Sequence, residues 1–203
     1  MRKFTYRLMA TGCIMAVAIT MLLGSSSSKP VTIPRLLCPV GRCNVGGFRF
    51  GDDWTFGQCP SGARPPKWKK HTGADIRATA GTTVVAAEAG TVKYVYSAGK
   101  GWASAILIEH FAGNSKYVTQ YMHVDPKTGI VPGAVVKRGQ AIATVAAIST
   151  PHLHFGVWNG PYGSTAAHRG ALPSCTRPTT ACNDGSVTDP CFPQLWIDPM
   201  TFF

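Results

Sequence analysis

The sequence predicts an all-β domain, an antiparallel β-sandwich or partly closed barrel with loop-rich, disulfide-braced flanks. Three observations point there. Among 203 residues there are 22 glycines and 15 prolines, a turn-rich balance that favours short strands over helices. Residues 71–158 break into short apolar or alternating runs separated by turn residues, the strand spacing expected of such a sandwich or barrel. No segment carries apolar residues at the 3.6-residue period of an amphipathic helix.

The runs can be taken in order. Residues 82–87 are a β-rich stretch closed by Glu88-Ala89-Gly90. Residues 91–97 follow, and alternation predicts Val92, Tyr94 and Tyr96 on one face. A turn at residues 98–101 leads into residues 103–111, a more continuously apolar strand. Residues 117–124 alternate, predicting a common face for Tyr117, Thr119, Tyr121 and His123. Val131-Pro132-Gly133 and Lys137-Arg138-Gly139 punctuate two further strands. The stretch from His152 to Trp158 alternates strictly. Leu153, Phe155 and Val157 are expected to face a core. His152 and His154 then project together from the other face, roughly 6.5–7 Å apart at the backbone.

The termini suggest export. Arg2, Lys3 and Arg7 precede an apolar run over residues 8–23, then small residues, the layout of a secretory signal over residues 1–26. That run is shorter than the ~20 residues of a spanning helix, so no membrane span is expected after cleavage. An uncleaved anchor is the alternative. Cys13 follows Gly12 as in a lipidation site, but the apolar run continues past it, which speaks against a lipoprotein. The division expected is residues 27–70 as a leader and cysteine-containing extension, 71–158 as the core, and 159–203 as a cysteine-rich insertion with a tail that docks back. A periplasmic or secreted location follows.

Cysteine and charge usage agree with that compartment. Without Cys13, six cysteines remain at positions 38, 43, 59, 175, 182 and 191, an even count that reads as disulfides in an exported chain. Three lie on each side of the core, so complete pairing requires at least one bridge between the flanks. The net charge is +11, and removing the three signal cations leaves +8. Such a balance suits an anionic partner. No Arg-rich helix or aromatic-interleaved basic motif supports nucleic acid.

Five of the six histidines fall between positions 71 and 154. His71 and Asp75 stand four apart, with Gly73 expected to permit a turn between them. His123 ends an alternating strand, and His152 and His154 share a face. Imidazole and carboxylate are ligands that zinc accepts, and a catalytic zinc takes three of them plus an open position. Five candidates exceed that need, and proton transfer is the natural work for the surplus. The chain has no His-Glu-x-x-His motif, and its only glutamates are Glu88 at a turn and Glu109 in a strand. Histidines are therefore the expected proton carriers.

Three motifs in order resemble the LytM/lysostaphin-type zinc endopeptidases of family M23: His71-x-Gly-x-Asp75, Tyr121-Met122-His123 and His152-Leu153-His154-Phe155. Residues 133–142, with Val136-Lys-Arg-Gly-Gln140, and Trp196-Ile-Asp-Pro199 are also similar to that family. The resemblance implies a lysostaphin-like peptidase fold and one Zn2+ ion held by His71, Asp75 and His154. It makes His123 and His152 the catalytic pair, one activating a water and the other stabilising the oxyanion, in either assignment. The implied reaction is hydrolysis of peptide cross-links in bacterial peptidoglycan, with an anionic cell-wall surface as partner. A non-catalytic relative that binds the wall or activates wall amidases is the alternative. The resemblance gives His110 no catalytic role, and Tyr121 either lines the cleft or packs. The cysteine-rich flanks fall outside the resemblance, and the sequence favours neither glycine bridges nor D-alanine cross-links as the cleaved bond.

Overall fold

A computed structural model describes residues 32–52, 71–97, 103–163 and 195–203. The expected signal, His168 and four of the six cysteines lie outside the described residues. The strands are β1 (Gly73–Arg77), β2 (Thr83–Val85), β3 (Gly90–Ser97), β4 (Ser104–Ala112), β5 (Ser115–Pro126), β6 (Val135–Val136), β7 (Ala141–Val145), β8 (His152–Trp158) and β9 (Trp196–Ile197). A short 3-10 helix, Pro199–Phe202, closes the chain. Among the described residues there is no α-helix.

All strands join one open antiparallel sheet in the order β1-β8-β5-β4-β3-β6, with β7 linking β2 to β5 and β9 flanking β8. The long β5 makes this possible. Its Val118–Met122 half pairs with β8, while its Val124–Pro126 end pairs with β7. The main core lies on one face, where Ile76, Ile106, Ile108, Tyr117, Tyr121, Leu153, Phe155 and Val157 are fully buried. The opposite face holds a smaller cluster of Leu107, Val118, Trp158 and Trp196, flanked by Phe50, Tyr94 and Tyr162. The alternation expected for β8 is therefore present, with Leu153, Phe155 and Val157 in the main core.

Two bulges correct the expected faces. The β3–β4 register shifts between Val92 and Tyr94, leaving Lys93 as the extra residue. Val92 thus joins the main core, while Tyr94 and Tyr96 stack on each other at 6.2 Å on the other face. The β4–β5 register shifts between Ser104 and Ala105, which pair with Val124 and Met122. His123 is the residue passed over, and its φ is +62°. A bulge inserts one residue and re-aims its side chain, so His123 does not share the core face of Tyr117, Thr119 and Tyr121.

Gly73 is not in a turn but in β1, opposite Gly156. A Cβ there would meet the Phe155 carbonyl oxygen and come within 2.8 Å of His154 Nε2. Close approach of two strands, not turn geometry, requires the glycine.

The flanks are tied to the core. Cys38 and Cys43 form a disulfide. Residues 44–52 then run antiparallel along β1: Gly46 N–H donates to Asp75 O at 2.9 Å, Asp75 N–H to Phe48 O at 2.9 Å, and Gly51 N–H to His71 O at 2.9 Å. Ile33, within the stretch expected to be leader and extension, is buried in the main core. The tail packs against the core. Phe203 packs on Phe155 with ring centroids 5.7 Å apart, and Phe202 O accepts from Leu36 N–H at 2.9 Å.

Candidate metal centre

The site forms where β1, β8 and β5 meet on the face opposite the main core. The antiparallel register sets Asp75 of β1 directly across from His154 of β8, and Met122 of β5 across from His154 on its other side. His71 lies two residues before β1, and its imidazole turns back onto Asp75. His71 Nε2, His154 Nδ1 and Asp75 Oδ1 form a triangle with edges of 2.8, 3.1 and 3.3 Å. All three residues are buried, at 4–6% exposure, and they form the one cluster of this kind among the described residues.

A tetrahedral zinc with ligands near 2.0–2.1 Å separates them by about 3.3 Å, so the edges suit one small cation. The proton inventory agrees. His71 Nδ1–H donates to the Arg49 carbonyl at 3.1 Å, which turns the Nε2 lone pair into the triangle. Three acceptor atoms then converge on one point. A proton on His154 Nδ1 can bridge them, or a cation can replace it and move that proton to His154 Nε2, which is buried with no hydrogen-bond partner. The donor set of two imidazoles and a carboxylate is compatible with zinc.

The electrostatics favour the ligating protonation states. Burial pushes the His154 imidazole down to about 4, outweighing its hydrogen bond to Asp75. For Asp75, burial acts upward, but hydrogen bonds and charge from His154 and His71 override it and hold the carboxyl far below its usual range. Phe48 N–H adds a hydrogen bond to Asp75 Oδ2 at 3.2 Å. The neutral imidazole and the carboxylate are the forms that bind metal.

The remaining two histidines stand at the rim. His152 Nδ1–H donates to the Thr150 carbonyl at 2.7 Å, and its Nε2 lies 3.5 Å from Asp75 Oδ1. The His123 ring lies 4.6 Å from that of His152 and 6.4 Å from that of His154. All five residues singled out in the sequence thus converge here. The other two candidates do not. Tyr121 is fully buried in the main core, where its hydroxyl accepts from Ala87 N–H at 2.8 Å and meets Thr119 Oγ1 at 3.1 Å. His110 is buried in the same network, with Nδ1 2.8 Å from Ala89 O and Nε2 2.7 Å from Thr119 Oγ1. Both glutamates are engaged elsewhere, Glu88 with Arg138 and Glu109 with Lys116 and the Tyr162 N–H.

Two contributors carried no sequence signal. The Arg49 carbonyl and the Phe48 N–H are backbone groups, which any residue except proline supplies. Only their neighbour Gly47 hints at the close approach, since a Cβ there would come within 3.0 Å of Asp75 Oδ2.

Comparisons with known proteins cover the same stretch. Residues 69–167 match peptidase family M23. An uncharacterised lipoprotein of Escherichia coli (strain K12) is 39% identical over 85 residues, 41% of this chain and 32% of that protein. An uncharacterised metalloprotease of Haemophilus influenzae is 38% identical over 91 residues, 43% of this chain and 18% of that protein. The chain thus spans a third or less of the length of these relatives. Among solved structures, the catalytic domain of the antimicrobial peptidase lysostaphin from Staphylococcus simulans aligns at 25% identity over 61% of this chain and 86% of that one, with a TM-score of 0.43. A family match over the stretch that carries all five site residues identifies residues 69–167 as a domain of peptidase family M23.

Proposed function

We propose that the chain is an exported zinc metalloendopeptidase that hydrolyses peptide cross-links of bacterial peptidoglycan. The observation that carries this reading is the 3 Å-scale triangle of His71, Asp75 and His154 with two further imidazoles at its rim. His71 Nε2, Asp75 Oδ1 and His154 Nδ1 would hold one zinc ion. When bound, zinc supplies Lewis acidity, which polarises a carbonyl and makes water a nucleophile near neutral pH.

The chain's own residues divide the remaining work. With its Nδ1–H held by the Thr150 carbonyl, His152 keeps an Nε2 lone pair directed at the site, the arrangement of a general base. It takes the proton of the attacking water and can return it to the leaving amine. His123, whose ring faces His152, donates an imidazole N–H to the oxygen on which negative charge develops. The half-buried aromatics Phe50, Tyr94 and Tyr162 beside Trp158 and Trp196 extend the same face and offer an apolar floor to an extended peptide. A net charge of +11 over the full sequence favours retention on an anionic wall, an attraction that salt weakens. The match to an M23 domain and the lipoprotein relative support an envelope location.

Digestion of purified peptidoglycan by the zinc-loaded protein tests this, with His152→Ala as control and mass spectrometry of the released fragments. Fragments with a newly opened cross-bridge, absent from the control, are expected and would name the bond. Intact peptidoglycan despite bound zinc would overturn the enzymatic reading in favour of a non-catalytic wall-binding or amidase-activating role.

A further inference from the structure

We propose that residues 44–52, which precede the M23 domain, are a positioning strand for the metal centre. The inference rests on the zinc reading above and adds residues that the family match over 69–167 does not contain.

The segment contacts two of the three ligand residues through its backbone. The Arg49 carbonyl accepts the His71 Nδ1–H at 3.1 Å and so fixes which nitrogen faces the site. Phe48 N–H donates to Asp75 Oδ2 at 3.2 Å, leaving Oδ1 toward the two imidazoles. Both residues are locked in register by the ladder along β1, in which Asp75 N–H donates to Phe48 O and His71 N–H donates to Asp52 O, each at 2.9 Å. Gly47 packs directly on Asp75, where a Cβ would lie 2.9 Å from Asp75 Cβ and 3.0 Å from Oδ2. The Cys38–Cys43 disulfide anchors the start of the segment. Partners of this kind orient metal ligands and raise their affinity. Here a stretch outside the domain supplies them through main-chain atoms.

The glycines provide a matched test. Gly47→Ala places a methyl against Asp75. Gly46→Ala places one 2.9 Å from Arg77 Cβ, an equal steric insult on the same strand whose added methyl meets Arg77 and not a ligand side chain. Phe48→Pro deletes the N–H that Asp75 accepts, whereas Phe48→Ala keeps it. The Phe48 ring is 44% exposed and its centroid lies 5.7 Å from that of His71, so Phe48→Ala measures the loss of the ring and Phe48→Pro the further loss of the N–H. Zinc affinity would be measured on the purified chain by chelator competition. The cobalt(II) absorption spectrum would report ligand geometry, and thermal denaturation would report stability.

Gly47→Ala and Phe48→Pro are expected to weaken zinc binding about 10- to 100-fold and to shift the cobalt bands. Gly46→Ala should bind as the parent does, even where it lowers the melting temperature as much as Gly47→Ala, and Phe48→Pro should bind more weakly than Phe48→Ala. Equal zinc affinity and identical cobalt spectra for Gly46→Ala and Gly47→Ala, with zinc bound by the parent chain, would overturn this inference alone. A parent chain that takes up no zinc would overturn the metal reading with it.

Discussion

The rings of His123 and His152 face each other at 4.6 Å with planes tilted by 55°, although regular alternation along β5 would have pointed His123 into the core beside Tyr121. The bulge at His123 makes the difference. Its φ of +62° is left-handed, a conformation that costs an L-residue about 1–2 kcal/mol, and such strain concentrates at functional sites. A direct consequence concerns two variants that both lack the ring. His123→Gly should be more stable than His123→Ala by up to about 1 kcal/mol in thermal or denaturant unfolding, while both lose hydrolysis.

Acid should destabilise the zinc-free protein through His154. Its folded-state pKa is depressed to about 4 from an ordinary 6.5, so the unfolded chain takes up a proton that the folded chain refuses. Stability contributed by this group is complete above pH 6.5 and is lost as pH falls toward 4, at up to about 1.4 kcal/mol per pH unit. Asp75, also depressed, acts in the same direction at still lower pH. Denaturant midpoints measured between pH 7 and pH 4 should fall, and the fall should shrink in His154→Gln, which has no such proton to take up.

Tyr121→Phe separates packing from cleft lining. The Tyr121 hydroxyl is the acceptor for Ala87 N–H in the buried network with Thr119. Removing it strands a buried donor at a cost of about 1–3 kcal/mol. Urea unfolding should register that loss, while peptidoglycan hydrolysis per folded molecule stays unchanged.

Gly73→Ala should damage the metal site without altering a ligand. The added methyl meets the Phe155 carbonyl and His154 Nε2, and forcing the strands apart costs about 1–3 kcal/mol. Calorimetry should record the lost stability, and zinc titration should record weaker binding than in the parent.

These residues also mark how far the sequence could be read. His71, Asp75 and His154 stood out in the sequence because imidazole and carboxylate are metal-ligand chemistry, and the structure brings the three together, while the strict alternation of β8 placed Leu153, Phe155 and Val157 correctly. Alternation failed at Lys93 and His123 for one reason, a bulge. A bulge adds a residue without a compositional signature when no glycine occupies it, so Tyr121 and His123 were expected on one face and lie on opposite ones. Gly73 suggested a turn because turns and close strand contacts both select glycine. The Phe48 N–H and Arg49 carbonyl could not be anticipated, since register and not residue type brings them to Asp75 and His71. Of the six cysteines, Cys38 and Cys43 were expected to pair with some partner, and their short-range bridge leaves Cys59 as the N-flank cysteine available to the other flank.

The division of five residues into three that hold metal and two that move protons is most directly tested by zinc content in two variants. His154→Ala removes a corner of the triangle, whereas His152→Ala removes an imidazole from its rim. Elemental analysis of the purified proteins should find His154→Ala empty and His152→Ala holding close to one zinc per chain, with hydrolysis by His152→Ala reduced by about 10²- to 10⁴-fold. An empty His152→Ala beside a zinc-loaded His154→Ala would contradict the assignment.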